Sequence, residues 1–278
     1  MSTRSGQVIS VYDPAMAKEF FGSSGKTETV AQGMTLFAEN EKGSRLLLKS
    51  DKMYLLLDGE INLTASGKVI ATVRKGEVFG EMASISHMPR SASAVAKVPC
   101  RVIGLDESQF QGALRKKPEF ALMLMSIMIR RIRDALGRQE PGSASEPGKL
   151  KESAVFDKSS LAILGRALAP TSVRYERGHT VVKEGQGGVL MYVVVEGRLA
   201  VFIQGKVVEK IGPGGVFGEM ALVDRTPRLA TVVCETDCGL LAIGRNTFLD
   251  LVKASPDFAV SLLNAVGERA RFITSRGK

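Results

Sequence analysis

In two places the sequence sets a Gly-Glu pair nine residues ahead of a Pro-Arg pair. The first place reads Gly80-Glu81-Met82-Ala83 and then Pro89-Arg90-Ser91-Ala92-Ser93. The second reads Gly218-Glu219-Met220-Ala221 and then Pro227-Arg228-Leu229-Ala230-Thr231. These residue types suit the capture of a small anion. A glycine lets the chain turn tightly and lets a ligand approach the backbone. The residues after it can form a short helical turn whose free N–H groups favour negative charge. Arginine then brings a planar guanidinium fork that fits phosphate. Small residues beside the arginine let further backbone N–H groups reach the same oxygens. A glutamate facing phosphate would repel it, so Glu81 and Glu219 are expected to accept a hydrogen bond from a neighbouring hydroxyl, for which a ribose is the natural source. One compact phosphate beside a ribose hydroxyl describes a cyclic mononucleotide.

The doubling extends well beyond the two motifs. Gly80 and Gly218 are 218 − 80 = 138 apart, and the same offset carries Met53-Tyr54 onto Met191-Tyr192, Gly59 onto Gly197, and Gly67-Lys68-Val69 onto Gly205-Lys206-Val207. It continues to Phe110 and Phe248, and to Pro118 and Phe120 with Pro256 and Phe258. Solenoid repeats run at roughly 20–50 residues, so a period this long means two copies of a whole domain. Upstream, Gly33 and Gly178 start equivalent strands but lie 145 apart. The first copy therefore carries 145 − 138 = 7 extra residues, placed in Glu39–Ser50, to which no function is assigned. The Pro-, Gly- and Ser-rich stretch "RQEPGSASEPGKLKES" reads as a linker. The resulting division is an N-terminal segment with a short helix at 1–24, a first domain at 25–140, a linker at 141–152 and a second domain at 153–278.

The elements that must position the motifs are short strands followed by helices. "KMYLLLDGEINLTASGKVIATV" and "LMYVVVEGRLAVFIQGKVVEKI" are apolar, β-branched runs broken by Asp-Gly, Glu-Gly, Ser-Gly and Gln-Gly turns. Strand character returns after each motif, so the predicted fold is mainly β with flanking helices, two tandem β-sandwiches or jelly-roll-like β-rolls. Asp13 is placed as N-cap, with Pro14 at the first helical position and Gly22 as the stop. "KSSLAILGRALAP" reads as a helix ending at Pro170, and helices open at Pro118 and Pro256, each followed by an acid. The helix after Pro118 is apolar nearly all round for three turns, which means deep packing or one half of a helix–helix interface.

On these residues both copies resemble the cyclic-nucleotide-binding domain, and in particular its phosphate-binding cassette. The resemblance covers about residues 25–140 and 155–278. It implies that Glu81 and Glu219 accept from the ribose 2′-hydroxyl and that Arg90 and Arg228 pair with the cyclic phosphate. Backbone amides at Ala83 and Ala221, and at Ser91 and Leu229, complete the cradle. Ala92-Ser93 and Ala230-Thr231 line the base and phosphate edge, while Gly80, Met82, Gly218 and Met220 shape the turn. It also implies a trailing helix that moves when ligand binds, with adenine contacts near Ala135-Leu136 and Ile273-Thr274. Leu229 cannot hydrogen-bond guanine's amino group, whereas Ser91 can, so cyclic AMP is favoured at both sites and the first is more permissive toward cyclic GMP.

Composition narrows the functional class. The 278 residues carry a formal net charge of +9, with Arg130, Arg131 and Arg133 as the one cluster, which by itself reads as a solvated helix face. Three cysteines without CxxC spacing and two histidines argue against a metal site and for buried thiols on strands. No apolar run is long enough for a membrane span and no signal peptide is evident, so a cytoplasmic protein is expected. Gly25-Lys26-Thr27 ends like a P-loop, but Phe20 stands where its first glycine is required, and no catalytic triad is in view. No helix-turn-helix follows the second trailing helix, which argues against a DNA reader. The expected function is a non-enzymatic receptor that signals to an unidentified protein effector through its trailing helix, a homodimer through the trailing helices being compatible. The alternatives are a degenerate interaction protein, a receptor for cyclic GMP or a cyclic dinucleotide, or a kinase regulatory subunit. Against the last, residues 1–20 show neither an inhibitory Arg-Arg-x-Ala/Ser segment nor a dimerisation helix.

Overall fold

A computed structural model describes residues 12–42, 51–86, 88–136, 154–223 and 226–275, without the side chains of 131–136 and 270–275. The linker expected at 141–152 therefore lies outside the described residues, as do residues 43–50. Among the described residues two compact units are present, Tyr12–Leu124 with Leu251–Phe272, and Met125–Asp250 with 273–275.

Each unit holds a β-sandwich. In the first, β1 (Lys26–Val30), β2 (Thr35–Phe37), β3 (Met53–Asp58), β4 (Ile61–Ala65), β5 (Lys68–Val73), β6 (Val78–Phe79), β7 (Ser93–Ala96) and β8 (Cys100–Leu105) make two antiparallel sheets. Their orders are β1-β8-β3-β6 and β2-β7-β4-β5. The second uses β9 (Ser172–Tyr175), β10 (Thr180–Val182), β11 (Met191–Glu196), β12 (Leu199–Ile203), β13 (Lys206–Ile211), β14 (Val216–Phe217), β15 (Thr231–Cys234) and β16 (Cys238–Ile243). Its orders, β9-β16-β11-β14 and β10-β15-β12-β13, repeat the first strand for strand. This is jelly-roll connectivity, with two four-stranded sheets closing on one core. The helices are α1 (Pro14–Gly22), α2 (Glu81–Ser86), α3 (Glu107–Lys116), α4 (Glu119–Leu136), α5 (Lys158–Ala167), α6 (Arg245–Ala254) and α7 (Pro256–Ser275).

Side-chain alternation explains the core. Tyr54 and Leu56 of β3 point between the sheets with Phe37, Ile61, Phe79, Ala94 and Val102. Met53 and Leu55, on the other face, are also buried because α1 lies over β3 and β8. The second core repeats this with Tyr192, Val194, Leu199, Phe217, Val232 and Leu240. Ser66-Gly67 and Gln204-Gly205 each have φ positive at both residues, as a two-residue type I′ hairpin requires. Register shifts recur at Leu56/Asp58 and Val194/Glu196, and at Leu63/Thr64 and Val201/Phe202, so even the bulges are duplicated. Cys100, Cys234 and Cys238 are buried free thiols on strands, and burial with Cys238 beside it pushes the Cys234 thiol up to about 12.

The hydrogen bonds locate the extra residues of the first copy. Gly33 N–H donates to Ala96 O as Gly178 N–H donates to Cys234 O, and Asn40 N–H donates to Arg90 O as Gly185 N–H donates to Arg228 O. Equivalence at an offset of 145 thus holds through Asn40, and the offset of 138 applies from Lys52 onward. The insertion falls between these points, within the expected stretch.

Asp13 caps α1, accepting from Ala15 N–H at 2.8 Å, with Pro14 and Gly22 at its two ends. The helix α5 ends at Ala167, three residues before the expected Pro170, which instead sits in a 3-10 turn at Ala169–Thr171. Proline lacks the N–H that an extension of α5 would have to donate. In α4, Phe120 through Met125 are buried on all sides, as its all-round apolarity requires, and Phe120 stacks on Phe20 of α1 at 3.6 Å.

Tyr12 donates its phenol to Gly76 O, and burial followed by Glu77 pushes its pKa up to about 12 from an ordinary 10.0. The folded phenol stays protonated where the unfolded one ionises. Its contribution is therefore complete below pH 10 and is lost as pH rises through about 12. Tyr12→Phe is expected to cost about 1 kcal/mol at neutral pH. It should also make the fall of Tm across this alkaline window shallower in thermal melts.

Candidate functional site

The two motifs build the same clamp twice. Gly80 and Gly218 take φ of 74° and 77°, a left-handed conformation open to glycine, and turn the chain out of β6 and β14. A Cβ on either would lie within 2.9 Å or 2.8 Å of the Nη1 of its arginine, so absence of a side chain lets the guanidinium approach. Arg90 donates from Nη1 to Gly80 O at 2.6 Å and from Nη2 to Lys52 O at 2.8 Å. Arg228 donates from Nη1 to Gly218 O at 2.9 Å and from Nη2 to Leu190 O at 2.8 Å. Each arginine also closes a backbone pair with the strand 2 to strand 3 connection, through Asn40 and Glu41 or through Gly185 and Gln186. Both guanidinium groups are thereby fixed in direction before any ligand arrives.

Burial sets the electrostatics of the clamp. Arg90 is 4% exposed, and its Nε is buried with no hydrogen-bond partner. Burial lowers the pKa of Arg90, with Asp51, Tyr54, Glu41 and Glu81 opposing it. Arg228 is half-buried and is lowered by the same cause, opposed by Tyr192 and Glu219. Glu81 and Glu219 are 1% and 3% exposed, so both lie inside rather than in solvent, and each is close enough to favour the charged form of its arginine. Each guanidinium is thus a partly desolvated cation held on two neutral carbonyls, with the Asp51 carboxylate also 3.6 Å from Arg90 Nη2, and a group so placed suits a phosphate.

The remaining expected residues frame this pair. Met82 and Ala83 are buried in α2, and Ala92 is buried as well. Ser91 is exposed, while Leu229, Ala230, Ala221 and Met220 are half-buried. Ser93 Oγ accepts from Glu39 N–H at 2.8 Å and Thr231 Oγ1 from Glu184 N–H at 3.0 Å. The two hydroxyls thus play one part, tying the motif strand to the same connection. The turns themselves differ, since Glu81–Ser86 is α-helical and Glu219–Leu222 is a 3-10 turn. Ser86 Oγ donates to Met82 O at 2.6 Å, closing the extra turn in the first copy. The second copy has Asp224 in that place in the sequence. The side chains of Ala135, Leu136, Ile273 and Thr274, expected near the base, lie outside the described residues.

The cyclic nucleotide-binding domain family matches residues 27–117 and 172–255, one sandwich each. The chain belongs to that family. It is 27% identical over 272 residues to the cAMP-dependent protein kinase regulatory subunit of Schizosaccharomyces pombe, covering 92% of this chain and 60% of that protein. The protein of the same name from Yarrowia lipolytica is 27% identical over 217 residues, covering 76% of this chain and 52% of its own. The chain thus spans 60% or less of the length of these curated relatives. Among solved structures, the regulatory domain of Toxoplasma gondii PKA with cAMP aligns at 18% identity and a TM-score of 0.32, covering 94% of this chain and 97% of that one.

Within this tandem cyclic nucleotide-binding domain protein, several contacts were not visible as sequence motifs. Asp51 lies 3.6 Å from Arg90 Nη2, and the Phe37 ring lies 4.1 Å beneath its guanidinium carbon. The second copy has Val189 immediately before Leu190, where the first has Asp51 immediately before Lys52. There Gly188 fills the role of a floor, since a Cβ on it would lie 2.3 Å from Arg228 Nη2. Tyr54 stacks on Phe79 and Tyr192 on Phe217 in the core next to the clamps. Among the described residues, no cluster of three or more His, Cys, Asp or Glu could hold a metal, and no helix is long and apolar enough to cross a membrane.

Proposed function

We propose that each clamp binds one cyclic mononucleotide and that the chain is a receptor with two such sites. The observation that carries this reading is the duplicated pair of a buried glutamate and an arginine held on two carbonyls. The arginine faces the cyclic phosphate with backbone N–H groups at Ala83 and Ser91, or Ala221 and Leu229. Glu81 and Glu219 accept from the ribose hydroxyl. Cyclic AMP is the ligand at both sites, because Leu229 has no group for guanine's amino nitrogen, and the exposed Ser91 leaves the first site more permissive toward cyclic GMP. The chemistry is binding without turnover. Occupancy moves the trailing helices, and a protein effector in the cytoplasm reads the change.

A panel of cyclic AMP, cyclic GMP and cyclic dinucleotides in thermal melts tests the ligand. A cyclic mononucleotide at a hundred times its Kd should stabilise the folded state by about 2.7 kcal/mol. Cyclic AMP is expected to give the largest rise in Tm, with two molecules bound per chain by calorimetry. A flat response across the panel would leave only a structural role for the motifs. For the effector, the similarity to two cAMP-dependent protein kinase regulatory subunits makes a protein kinase catalytic subunit the first partner to test, by pull-down with and without cyclic AMP.

A further inference from the structure

The motif turns of the two copies are anchored by different means. In the first, Ser84 Oγ donates to Asp51 O at 2.9 Å, fixing α2 to the chain entering β3. The equivalent residue in the second copy is Leu222, 84 + 138 = 222, which has no hydroxyl. Leu222 ends the 3-10 turn and is 2% exposed, so its carbonyl needs a protein donor. Arg245 supplies it, donating from Nη1 at 2.9 Å. Arg245 is the first residue of α6, immediately after β16 and Gly244. The equivalent position in the first copy is Glu107, 245 − 138 = 107, whose carboxylate can accept but cannot donate to a carbonyl. The donation from Arg245 to this carbonyl therefore cannot be made by the equivalent side chain of the first copy.

We propose that Arg245 is a positioning residue that couples occupancy of the second site to α6. The inference rests on the reading that Gly218–Arg228 holds a cyclic nucleotide. The turn at Glu219–Leu222 carries both the ribose-facing carboxylate and the backbone N–H groups aimed at phosphate. A shift of its last carbonyl moves both sets of contacts together. Arg245 links that carbonyl to the start of α6, so a ligand that fixes the turn also fixes the helix, and a displaced helix weakens the ligand by the same factor.

The test uses the full chain, titrated calorimetrically with cyclic AMP as wild type, Arg245→Ala, Arg245→Lys and Arg228→Ala. Hydrogen exchange of α6 amides is measured with and without nucleotide. Arg245→Ala is expected to weaken one of the two sites about tenfold, the scale of one charge-assisted hydrogen bond, and to leave the other unchanged. The loss should persist at 1 M salt, where a merely long-range charge effect is screened. Arg245→Lys, which keeps a donor of similar reach, should recover most of the affinity. Cyclic AMP should protect α6 in the wild type and the lysine variant but not in the alanine variant. If Arg245→Ala keeps wild-type affinity at both sites and full protection of α6 while Arg228→Ala loses a site, the tie is overturned and the nucleotide reading stands. If Arg228→Ala also keeps both sites, the nucleotide reading fails and the tie falls with it.

Discussion

Arg228→Ala is expected to abolish the second site and leave the first intact, and Arg90→Ala to do the reverse. Either truncation leaves a phosphate enclosed without its countercharge, which costs about 3–5 kcal/mol, roughly two to three decades in affinity. Calorimetry on each variant should show one molecule of cyclic AMP bound where the wild type binds two. The two arginines differ in what else they hold. Arg90 is buried, pairs with Asp51 and sits over Phe37, so its removal also opens a hole in the fold. Arg90→Lys separates these effects, since lysine keeps a charge but cannot donate to Gly80 O and Lys52 O in one planar fork. It should retain most of the stability and lose most of the first site. Arg228 is half-buried and has Val189 where the first copy has Asp51, so Arg228→Ala should lower Tm less than Arg90→Ala does. Two molecules still bound with native affinity in both alanine variants would remove the arginines from the site.

What could be read from residue types was the part built from side chains with one evident use. Gly80-Glu81 and Gly218-Glu219, with the arginines nine residues beyond the glutamates, stand out because no packing argument demands that combination twice at one offset. The sandwich was legible for a similar reason, since Ser66-Gly67 and Gln204-Gly205 can join paired strands only through turns of one hand. The acceptors that aim the arginines were not legible. Lys52 and Leu190 contribute carbonyls, which every residue carries, so their two side chains share nothing that marks the role. Phe37 reads as an ordinary core residue because it is one, and its second use under Arg90 follows only from where β2 meets β7. The same limit applies at Pro170, where the sequence marks a helix boundary but not which of the preceding residues makes the last helical bond.

Gly188→Ala should silence the second site without unfolding the protein, whereas Gly197→Ala should do the opposite. Each added methyl meets atoms far inside contact distance, but the atoms differ in what they can do. At Gly188 the Cβ lies 2.3 Å from Arg228 Nη2 and 2.7 Å from Cζ, the far end of a flexible side chain. At Gly197 it lies 2.2 Å from Asp237 O and 2.9 Å from Cys238 Cα, which are backbone, and φ there is +88°. Arg228 can swing away, and the half-buried guanidinium regains water when it does, so the fold should lose less than about 1 kcal/mol. Its hold on Gly218 O and Leu190 O goes with it, and cyclic AMP affinity at the second site should fall by about two decades. Gly197 has no such escape, because left-handed strain and a clash with the β15–β16 turn both fall on the main chain, costing roughly 2–4 kcal/mol. Its nucleotide affinity, measured below the lowered Tm, should stay near wild type. The pair therefore separates a glycine kept for the guanidinium from a glycine kept for the hairpin. A Gly188→Ala protein that binds two cyclic AMP molecules as tightly as wild type would show that the site does not need Arg228 where it now stands.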